Sequence, residues 1–472
     1  MPVTLSRERS WLRFNHRVLL QTRREDIPLL ERVRFLSIFA ANHDEFFSAR
    51  IYRALERFDS GDPAEADEYR ELLREAYQNA VIASECHERL RLELAGTGFH
   101  LLDPSQLTPD ERSYFGAFLA EEVAPRVDLL EIGSLAELSS RALYMAAGRD
   151  RLEYLLRLPD SVPRLLPVPG RDGAFVRLGP LVRLRSDLFL PERIPMHEMR
   201  LTRLANLELE RADWDDLVQA IETRPEGRVT RLEVEASFPW IEEVACSLGL
   251  PREAAFRLPP PLDHRYIDGL ADLTPPLPPA GPLRFPPLKS RRNRAFEKDP
   301  FTYMDESDYA AWHPLDDYGT VERFAQAAAK DPLVDRLRIS LYRLGRDNAI
   351  AEALIEAAKA GKDVAVLLEG RARFDELQNV HWNLHFRQAG IRILPLPSGY
   401  KVHGKAFLVR RDGKHYLHLS TGNYNPANGR LYTDLSLFTA DPELVADTDA
   451  FFEALADGRP PELAVMRYGL DA

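Results

Sequence analysis

A proline-rich tract between residues 257 and 289 divides the sequence into two parts. Its letters are RLPPPLDHRYIDGLADLTPPLPPAGPLRFPPLK. Proline lacks a backbone N–H group and fixes one backbone dihedral angle, so this tract cannot form a continuous helix or a central β-strand. The tract therefore predicts a domain boundary, and a chain of 472 residues has room for two or three domains.

The part before the tract changes character near residue 100. Residues 5–95 are rich in Arg, Glu, Leu and Ala, with apolar residues three or four positions apart, as in LLERVRFLSIFA. This spacing is typical of amphipathic helices that pack as a bundle. Short mixed segments bounded by Pro and Gly follow from 104 to 285. We predict a helical N-terminal domain over residues 1–103 and an α+β head domain over residues 104–290, with the proline-rich tract at its end.

After the tract, apolar segments alternate with amphipathic ones. Six segments predict strands: LRISLYRL, DVAVLLEG, IRILPL, KAFLVRR, HYLHLS and LSLFTA. Three predict helices: TVERFAQAAAKD, NAIAEALIEAAKAGK and FDELQNVHWNLHFRQAG. This alternation is typical of an α/β fold whose parallel strands are covered on both faces. We therefore predict an α/β domain over residues 291–472.

Composition excludes several classes of protein. The net charge of −12 opposes broad binding to nucleic acid. No apolar run reaches the length of a membrane span, and the first 20 residues lack the hydrophobic stretch of a signal peptide. Two cysteines without paired spacing indicate neither a disulfide framework nor a zinc site. We expect a cytoplasmic protein.

The stretch GYKVHGKAFLVRR carries the clearest chemical signal. His403 and Lys405 are two positions apart, so on one strand they would share a face. The DG turn that follows predicts a hairpin, which would bring Asn423 and Asn425 to the same end of the sheet. A neutral imidazole can attack phosphorus, a lysine supplies positive charge, and amides orient phosphate oxygens. The alternative is a packed or solvent-exposed histidine, which is the ordinary interpretation of one histidine near a strand.

Two arginines strengthen the prediction of a phosphate site. Arg343 ends the predicted strand ISLYR, and Arg373 follows the predicted strand VAVLLEG. The carboxyl ends of strands in an α/β sheet line the ligand crevice, and a planar guanidinium binds phosphate through two hydrogen bonds. His381 and His385 have the spacing of a helical zinc pair, but the Glu of the zinc protease motif is absent. A solvated helix face is the ordinary interpretation of that pair.

Seven segments, in order along most of the chain, carry a resemblance to a known family. They are RSWLRFNHRVL (9–19), LLERVRFLSIFAANHDEFF (29–47), HPLDDYGTVERF (313–324), DPLVDRLRISLYRLGRDNAI (331–350), LLEGRARFDELQNVHW (367–382), KVHGKAFLV (401–409) and TGNYNPANGRLYTDLSLFTADPE (421–443). Together they resemble the bacterial polyphosphate kinases of the type that forms a phosphohistidine. The resemblance implies a helical N-terminal domain, a head domain and a pair of phospholipase D-like α/β lobes at the C-terminal end.

The resemblance also implies roles for individual residues. His403 corresponds to the phosphorylated nucleophile, Asn42 and Tyr432 to ATP contacts, and Arg343 and Arg373 to residues of the magnesium and phosphate site. A guanidinium offers no lone pair, so we expect the two arginines to contact phosphate beside the metal. Without the resemblance, NHDEFF would be interpreted as a helix terminus with packed Phe46 and Phe47 and with Asp44 or Asn42 as a cap, and Tyr432 as a core residue.

The substrates, cofactor and assembly follow from the same resemblance. It implies ATP and inorganic polyphosphate as substrates, ADP as product, Mg²⁺ as cofactor and a homo-oligomer. The family has a second lobe with its own histidine, but the sequence contains no second HxK motif followed by a TGN-like turn. We therefore expect only the first lobe in this chain. A naturally shortened relative and a fragment of a longer product both stay open.

Three functions are compatible with this pattern. The preferred one is polyphosphate kinase, with reversible transfer of the terminal phosphate of ATP through phosphorylated His403. A second is a homodimeric phospholipase D-like phosphodiesterase in which each chain contributes one HxK motif. The segments NHDEFF and LYTD belong to the kinase and count against it. The third is a catalytically impaired polyphosphate-binding relative.

Overall fold

The computed structural model describes residues 5–130, 135, 137–205, 227–271, 281–368, 376–395 and 402–466. These residues form two compact units. The first unit comprises the described residues up to 205 and from 227 to 286, and the second unit comprises those from 287 onward. The predicted domain limits at residues 103 and 290 stay predictions.

Four α-helices open the first unit, as the apolar spacing predicted. They are α1 (Arg7–Leu20), α2 (Leu29–Glu45), α3 (Tyr52–Asp59) and α4 (Pro63–Ala95). The side chain of Asp62 caps α4 by accepting the N–H of Ala64, and Pro63 occupies the first turn, where a missing N–H costs nothing. A five-residue π-helical turn, Phe46–Arg50, follows α2 and buries both phenylalanines of the FF pair.

Two sheets complete the first unit. In chain order the strands are β1 (His100–Leu102), β2 (Asp128–Leu130), β3 (Leu143–Gly148), β4 (Leu152–Arg157), β5 (Leu165–Pro167), β6 (Ala174–Arg177), β7 (Met196–Arg203), β8 (Val229–Glu235) and β9 (Ala255–Leu258). The six-stranded sheet has the order β2-β4-β3-β7-β8-β9, and the three-stranded sheet has the order β1-β6-β5. The short helices are α5 (Pro109–Phe118), α6 (Leu178–Leu184), α7 (Ile241–Ser247) and α8 (Asp268–Ala271). Helices and strands mix here, as predicted for residues 104–285.

A buried cluster of charges joins α2 to strands β7 and β8. Asp44 of α2 accepts hydrogen bonds from Arg200 and from Arg231, the latter over 2.6 Å. Arg200 and Arg231 also contact the carboxylate of Glu233, at 3.0 and 3.1 Å. All four side chains are buried. Burial by itself would raise the pKa of Asp44, but the two arginines outweigh it and hold that pKa well below its usual range.

The second unit is built on one seven-stranded sheet. Its strands are β10 (Tyr309–His313), β11 (Val334–Leu341), β12 (Asp363–Leu368), β13 (Arg392–Ile393), β14 (Lys405–Arg411), β15 (Lys414–Ser420) and β16 (Asp434–Thr439). Its helices are α9 (Arg294–Lys298), α10 (Pro300–Glu306), α11 (Gly319–Lys330), α12 (Ala349–Lys359), α13 (Glu376–Gln388), α14 (Pro426–Gly429) and α15 (Pro442–Ala456). The strand order is β10-β16-β15-β14-β11-β12-β13. The six predicted strands and three predicted helices are present, whereas β10 was not predicted.

The sheet of the second unit is mixed, so the prediction of parallel strands is wrong for four of its six neighbouring strand pairs. Strands β11, β12 and β13 are parallel neighbours, and the other neighbouring pairs are antiparallel. A two-residue turn at Asp412 and Gly413 is the local cause between β14 and β15. Both residues have positive φ, 48° and 77°, as the tight hairpin turn requires.

Helices cover both faces of this sheet, as predicted. On one face, α11, α12 and α13 bury apolar side chains against β11, β12 and β14 in the largest core of the unit. On the other face, Phe452 and Leu455 of α15 pack against Leu408 and Leu417. No helix in the described parts of the chain is long and apolar enough to cross a membrane.

Strand β10 forms one edge of the sheet, and the outward backbone groups of one of its last residues, Trp312, are hydrogen-bonded to Asp316. The N–H of Trp312 donates to the carboxylate of Asp316 over 2.8 Å, and the carbonyl of Trp312 accepts the N–H of Asp316 over 2.7 Å. A single residue three positions beyond the strand thus uses both backbone polar groups of Trp312.

Candidate functional site

One end of the three central strands of the seven-stranded sheet gathers most of the residues predicted to bind phosphate. Because β14 is antiparallel to β11 and to β15, its first residue lies beside their last residues. Arg343 follows β11, His403 and Lys405 stand at the start of β14, and Asn423 follows β15. The structure therefore brings together residues that are up to 80 positions apart in the sequence. Arg373 lies outside the described residues.

His403 itself is not on the strand, which corrects the sequence prediction. β14 begins at Lys405, and His403 is exposed whereas Lys405 is buried. The cause is Ser340, a buried residue of β11, whose hydroxyl donates to the carbonyl of Gly404 over 2.7 Å and accepts the N–H of Ala406 over 3.0 Å. This side chain takes the place of a backbone ladder partner, so the chain turns out of the sheet at His403.

Tyr342 was not singled out in the sequence, yet it contacts three predicted site residues. Lys405 Nζ lies 5.5 Å from the centroid of its ring, and the guanidinium carbon of Arg343 lies 5.8 Å from it. The imidazole of His403 meets the same ring at a centroid distance of 5.4 Å and an angle of 79°. Lys405 Nζ also donates to the carbonyl of His403 over 2.5 Å. The one sequence signal for Tyr342 is its place directly before an arginine at the end of a buried strand.

Buried side chains hold the loop that carries Arg343. Asn379 of α13 donates to the carbonyl of Tyr342 over 2.7 Å. The indole N–H of Trp382, one turn further along the same helix, donates to the carbonyl of Gly345 over 2.9 Å. Two carbonyls of the loop are thus fixed by one helix, and the arginine is presented by an ordered support.

The two predicted amide contacts have different surroundings. Asn425 is buried, and its Oδ1 caps α14 by accepting the N–H groups of Ala427 and Asn428 over 3.1 and 3.2 Å. Asn423 Oδ1 is buried but has no hydrogen-bond partner within the described parts of the chain. Asn423 Oδ1 therefore has capacity to accept a further hydrogen bond. A phosphate contact stays a prediction for both residues.

Asn42 and Tyr432, the two residues predicted to contact ATP, lie in surroundings that the sequence did not predict. Asn42 lies inside α2 and donates to Asn15 Oδ1 over 3.1 Å, so it does not cap that helix. Tyr432 is 62% exposed and is not a core residue. Its neighbour Leu431 is 77% exposed. Asn42 is therefore not a cap and Tyr432 is not a core residue, whereas the helix terminus with packed Phe46 and Phe47 is confirmed. The contacts of Asn42 and Tyr432 with ATP stay predictions.

Two glycines near the site make a testable contrast. A methyl group on Gly429 of α14 would lie 2.1–2.5 Å from carbons of the Tyr318 ring, whereas one on Gly404 would meet no atom within 4 Å. We expect Gly429→Ala to lower the free energy of unfolding by about 1–3 kcal/mol through overpacking. Gly404→Ala should change it by less than about 0.5 kcal/mol. Urea unfolding of both variants checks this, and equal effects would contradict the close approach of α14 to Tyr318.

His418 of β15, whose last residue adjoins the site, is fully buried. His418 Nδ1 is 2.9 Å from the hydroxyl of Tyr424, and no partner meets its Nε2 among the described residues. Burial, with a smaller contribution from His313, lowers the pKa of His418 from its ordinary value of about 6.5 to about 3. The imidazole is therefore neutral in the folded chain at pH 7.

This neutral histidine predicts a sensitivity to acid. The stabilising effect of a lowered histidine pKa is complete above the unfolded pKa of about 6.5 and is lost as the pH falls toward the folded pKa. Between pH 7 and pH 5 we expect His418 to account for a loss of about 2 kcal/mol in the free energy of unfolding. Urea titrations at both pH values should show that His418→Asn removes this part of the loss. An unchanged difference between pH 7 and pH 5 would contradict it.

The described residues do not fit direct coordination of Mg²⁺. They contain no group of three His, Cys, Asp or Glu side chains that could hold a metal ion. Arg343 has no lone pair to offer a cation. His381 and His385 lie on α13 without a further ligand of that kind. Neither the predicted magnesium residues nor the histidine pair therefore forms a metal centre of protein ligands in the described chain.

Three family models match most of the sequence. The polyphosphate kinase N-terminal domain matches residues 4–102, the polyphosphate kinase middle domain matches residues 125–270, and the polyphosphate kinase C-terminal domain 1 matches residues 299–460. The three matches follow one another in the order in which the chain is built.

Individual proteins agree with these matches. A polyphosphate kinase of Mycolicibacterium gilvum is 33% identical over 99% of this chain and 69% of its own length. Polyphosphate kinase 1 of Chlorobaculum tepidum is 31% identical over 96% of this chain and 70% of its own length. The crystal structure of polyphosphate kinase from Porphyromonas gingivalis superposes with a TM-score of 0.76 at 25% identity, and covers 97% of this chain and 70% of that one.

Proposed function

Because this chain belongs to the polyphosphate kinase family, we propose that it transfers the terminal phosphate of ATP to inorganic polyphosphate, reversibly, through a phosphohistidine at His403. The observation that carries the proposal is the arrangement of side chains at the ends of the central strands β11 and β14. An exposed imidazole stands there beside Lys405 and Arg343, which both contact the ring of Tyr342. Such a group of one nucleophile and two cations suits the transfer of a charged phosphoryl group.

The chemistry needs few groups from the protein. A neutral nitrogen of the His403 imidazole forms a bond to the γ-phosphorus as the bond to the bridging oxygen of ADP breaks. The electron pair of the broken bond leaves with ADP, whose terminal phosphate is a good leaving group without protonation. Polyphosphate then attacks the phosphohistidine, and the imidazole is released. Lys405 and Arg343, with Arg373 by resemblance, neutralise charge on the phosphoryl oxygens.

Contacts with the rest of ATP come from the resemblance. We assign Tyr432 and Asn42 to the nucleotide, and Asn423 and Asn425 to the phosphates. The high exposure of Tyr432 supports its assignment, because a large aromatic side chain left in water is available to a ligand. Either residue would bind a phosphate oxygen through its Nδ2 group, which is the donor of the amide; Asn425 can do so while its Oδ1 caps α14.

Magnesium is assigned to the substrate and not to a protein centre. Mg²⁺ is commonly bound through substrate phosphates and water, with few protein ligands. Arg343 and Arg373 then contact phosphate oxygens beside the ion. The assignment agrees with the chemistry of the guanidinium group, which is a hydrogen-bond donor only.

The second unit is assigned to the phospholipase D-like lobes that the family carries. Two features support this assignment: a mixed sheet with helices on both faces, and one HxK motif at the start of the central strand β14. We further propose that the protein acts in the cytoplasm as a homo-oligomer with ATP, ADP and polyphosphate as its partners. Light scattering of the purified chain measures the oligomeric state directly.

One experiment tests the function. The purified chain is incubated with γ-labelled ATP, magnesium and a short polyphosphate, and label is followed in the protein and in the polymer. We expect acid-labile label on the protein first and labelled polyphosphate afterward. Polyphosphate binding without label in either pool would favour the impaired, binding-only relative. Hydrolysis of a model phosphodiester without label would favour the homodimeric phosphodiesterase and would overturn the proposal.

A further inference from the structure

One aromatic ring contacts the nucleophile and both described cations of the proposed site. The ring of Tyr342 lies within 6 Å of Lys405 Nζ and of the Arg343 guanidinium, and it meets the His403 imidazole nearly at a right angle. Neither the sequence motifs nor the resemblance assigned a role to this residue. The backbone of Tyr342 is held in place by a hydrogen bond that the buried amide of Asn379 donates to the carbonyl of Tyr342.

The physics of the ring explains why these groups meet on it. An aromatic ring carries negative charge density on its faces and positive charge density at its edge. Lys405 and Arg343 carry the same charge, and a ring that both of them contact offsets part of their repulsion. An aliphatic residue of similar size would fill the space but would attract neither cation.

We propose that Tyr342 is the positioning residue of the phosphate site, and this proposal rests on the function proposed above. Its ring keeps Lys405 and Arg343 directed toward one phosphoryl group. Through the edge-to-face contact it also fixes the imidazole of His403 relative to that group. Tyr342 does not itself touch the reacting atoms in this scheme. It acts through the three residues that do.

Two variants separate the ring from the rest of the side chain. Tyr342→Phe keeps the ring, and Tyr342→Leu removes it while leaving an apolar residue. In the labelling reaction we expect Tyr342→Leu to lower kcat about 10-fold or more, because small misplacements at a reacting centre carry costs of this size. Its KM for ATP should rise by no more than about 5-fold, the factor expected for tripolyphosphate alone, so that the larger effect falls on kcat. Tyr342→Phe should retain kcat within about 3-fold, as expected if the ring carries the effect.

A binding measurement tests the same role without any turnover. Inorganic tripolyphosphate is titrated into the chain by calorimetry. We expect Tyr342→Leu to weaken binding about 5-fold, the equivalent of two lost cation–π contacts. In a Lys405→Met background the same substitution should weaken it only about 2-fold, since the Arg343 contact alone is left to lose. Tyr303→Leu, at a half-buried tyrosine in the core of the same unit, controls for loss of an aromatic ring.

The outcomes distinguish this proposal from the proposed function. If the wild-type chain takes no label but the tripolyphosphate titrations show the expected coupling, the kinase function fails and the role of Tyr342 stands. Wild-type binding and labelling in Tyr342→Leu would overturn the role of Tyr342. So would an equal loss in Tyr342→Phe and Tyr342→Leu, or an undiminished effect of the leucine in the Lys405→Met background. Thermal unfolding of each variant verifies that it is folded.

Discussion

His403→Ala is expected to remove all acid-labile label that the chain takes from γ-labelled ATP. The imidazole is the group that would form the bond to phosphorus, and alanine offers no nucleophile in its place. Deletion of a nucleophile typically costs a factor of about 10³ or more in rate. The substitution should leave the free energy of unfolding nearly unchanged, because His403 is exposed and precedes the strand. Label counting after a fixed incubation, with an alkaline wash to preserve phosphohistidine, measures the effect.

The matched control is His415→Ala. His415 is the second residue of β15, at the end of that strand away from the site, and is half-buried. It should keep wild-type labelling. Free imidazole added to His403→Ala should restore a slow transfer to polyphosphate if the missing group is the nucleophile. Acid-labile label retained by His403→Ala would refute the assignment, and loss of label in both variants would point to a damaged fold.

Asp44→Ala is expected to cost about 3–5 kcal/mol of the free energy of unfolding, the largest stability effect we predict. The substitution leaves Arg200 and Arg231 buried without their shared carboxylate, and Glu233 alone does not replace it. Asp44→Asn should be similarly damaging because the amide keeps the volume but not the charge. Chemical denaturation followed by circular dichroism measures both variants.

A surface pair provides the comparison. Asp59 bonds Arg228 over 2.7 Å, yet both side chains are about half exposed, and Asp59→Ala should cost less than about 1 kcal/mol. The lowered pKa of Asp44 also fixes the direction of the pH effect. Its stabilising contribution is complete above the unfolded pKa of about 3.9 and is lost as the pH falls below that value. A cost for Asp44→Ala as small as that for Asp59→Ala would show that the cluster does not fasten α2 to the sheet.

The elements were predictable where the signal is local. Strand β12 contains a continuous apolar run, β11 ends in alternating apolar and polar residues, and the amphipathic spacing of α11 and α12 follows from one covered face. The direction of strand pairing is not encoded in periodicity, so the mixed sheet was missed. The turn at Asp412 and Gly413 was the one local indication of antiparallel pairing.

The site was predictable only in part, and for a physical reason. The side chains that we propose to react with or bind phosphate are chemically distinctive, so His403, Lys405 and Arg343 could be named from the sequence. The residues that hold them are common types whose role depends on distant partners. The hydroxyl of Ser340 reaches Gly404, 64 positions away, and the carboxylate of Asp44 reaches Arg231, 187 positions away. No short window of sequence contains such a pair.

The way Asp316 closes the end of β10 also bears on how copies of this chain could assemble. A strand at the border of a sheet usually offers free backbone groups, onto which a foreign strand can align and extend the sheet across molecules. At Trp312 both groups are already used, so an incoming strand would find neither a donor nor an acceptor there. Strand-to-strand growth at this position is therefore blocked. An oligomer that extended the sheet beyond β10 could not use the backbone of Trp312, and the same contact with Asp316 opposes fibrous aggregation at this position.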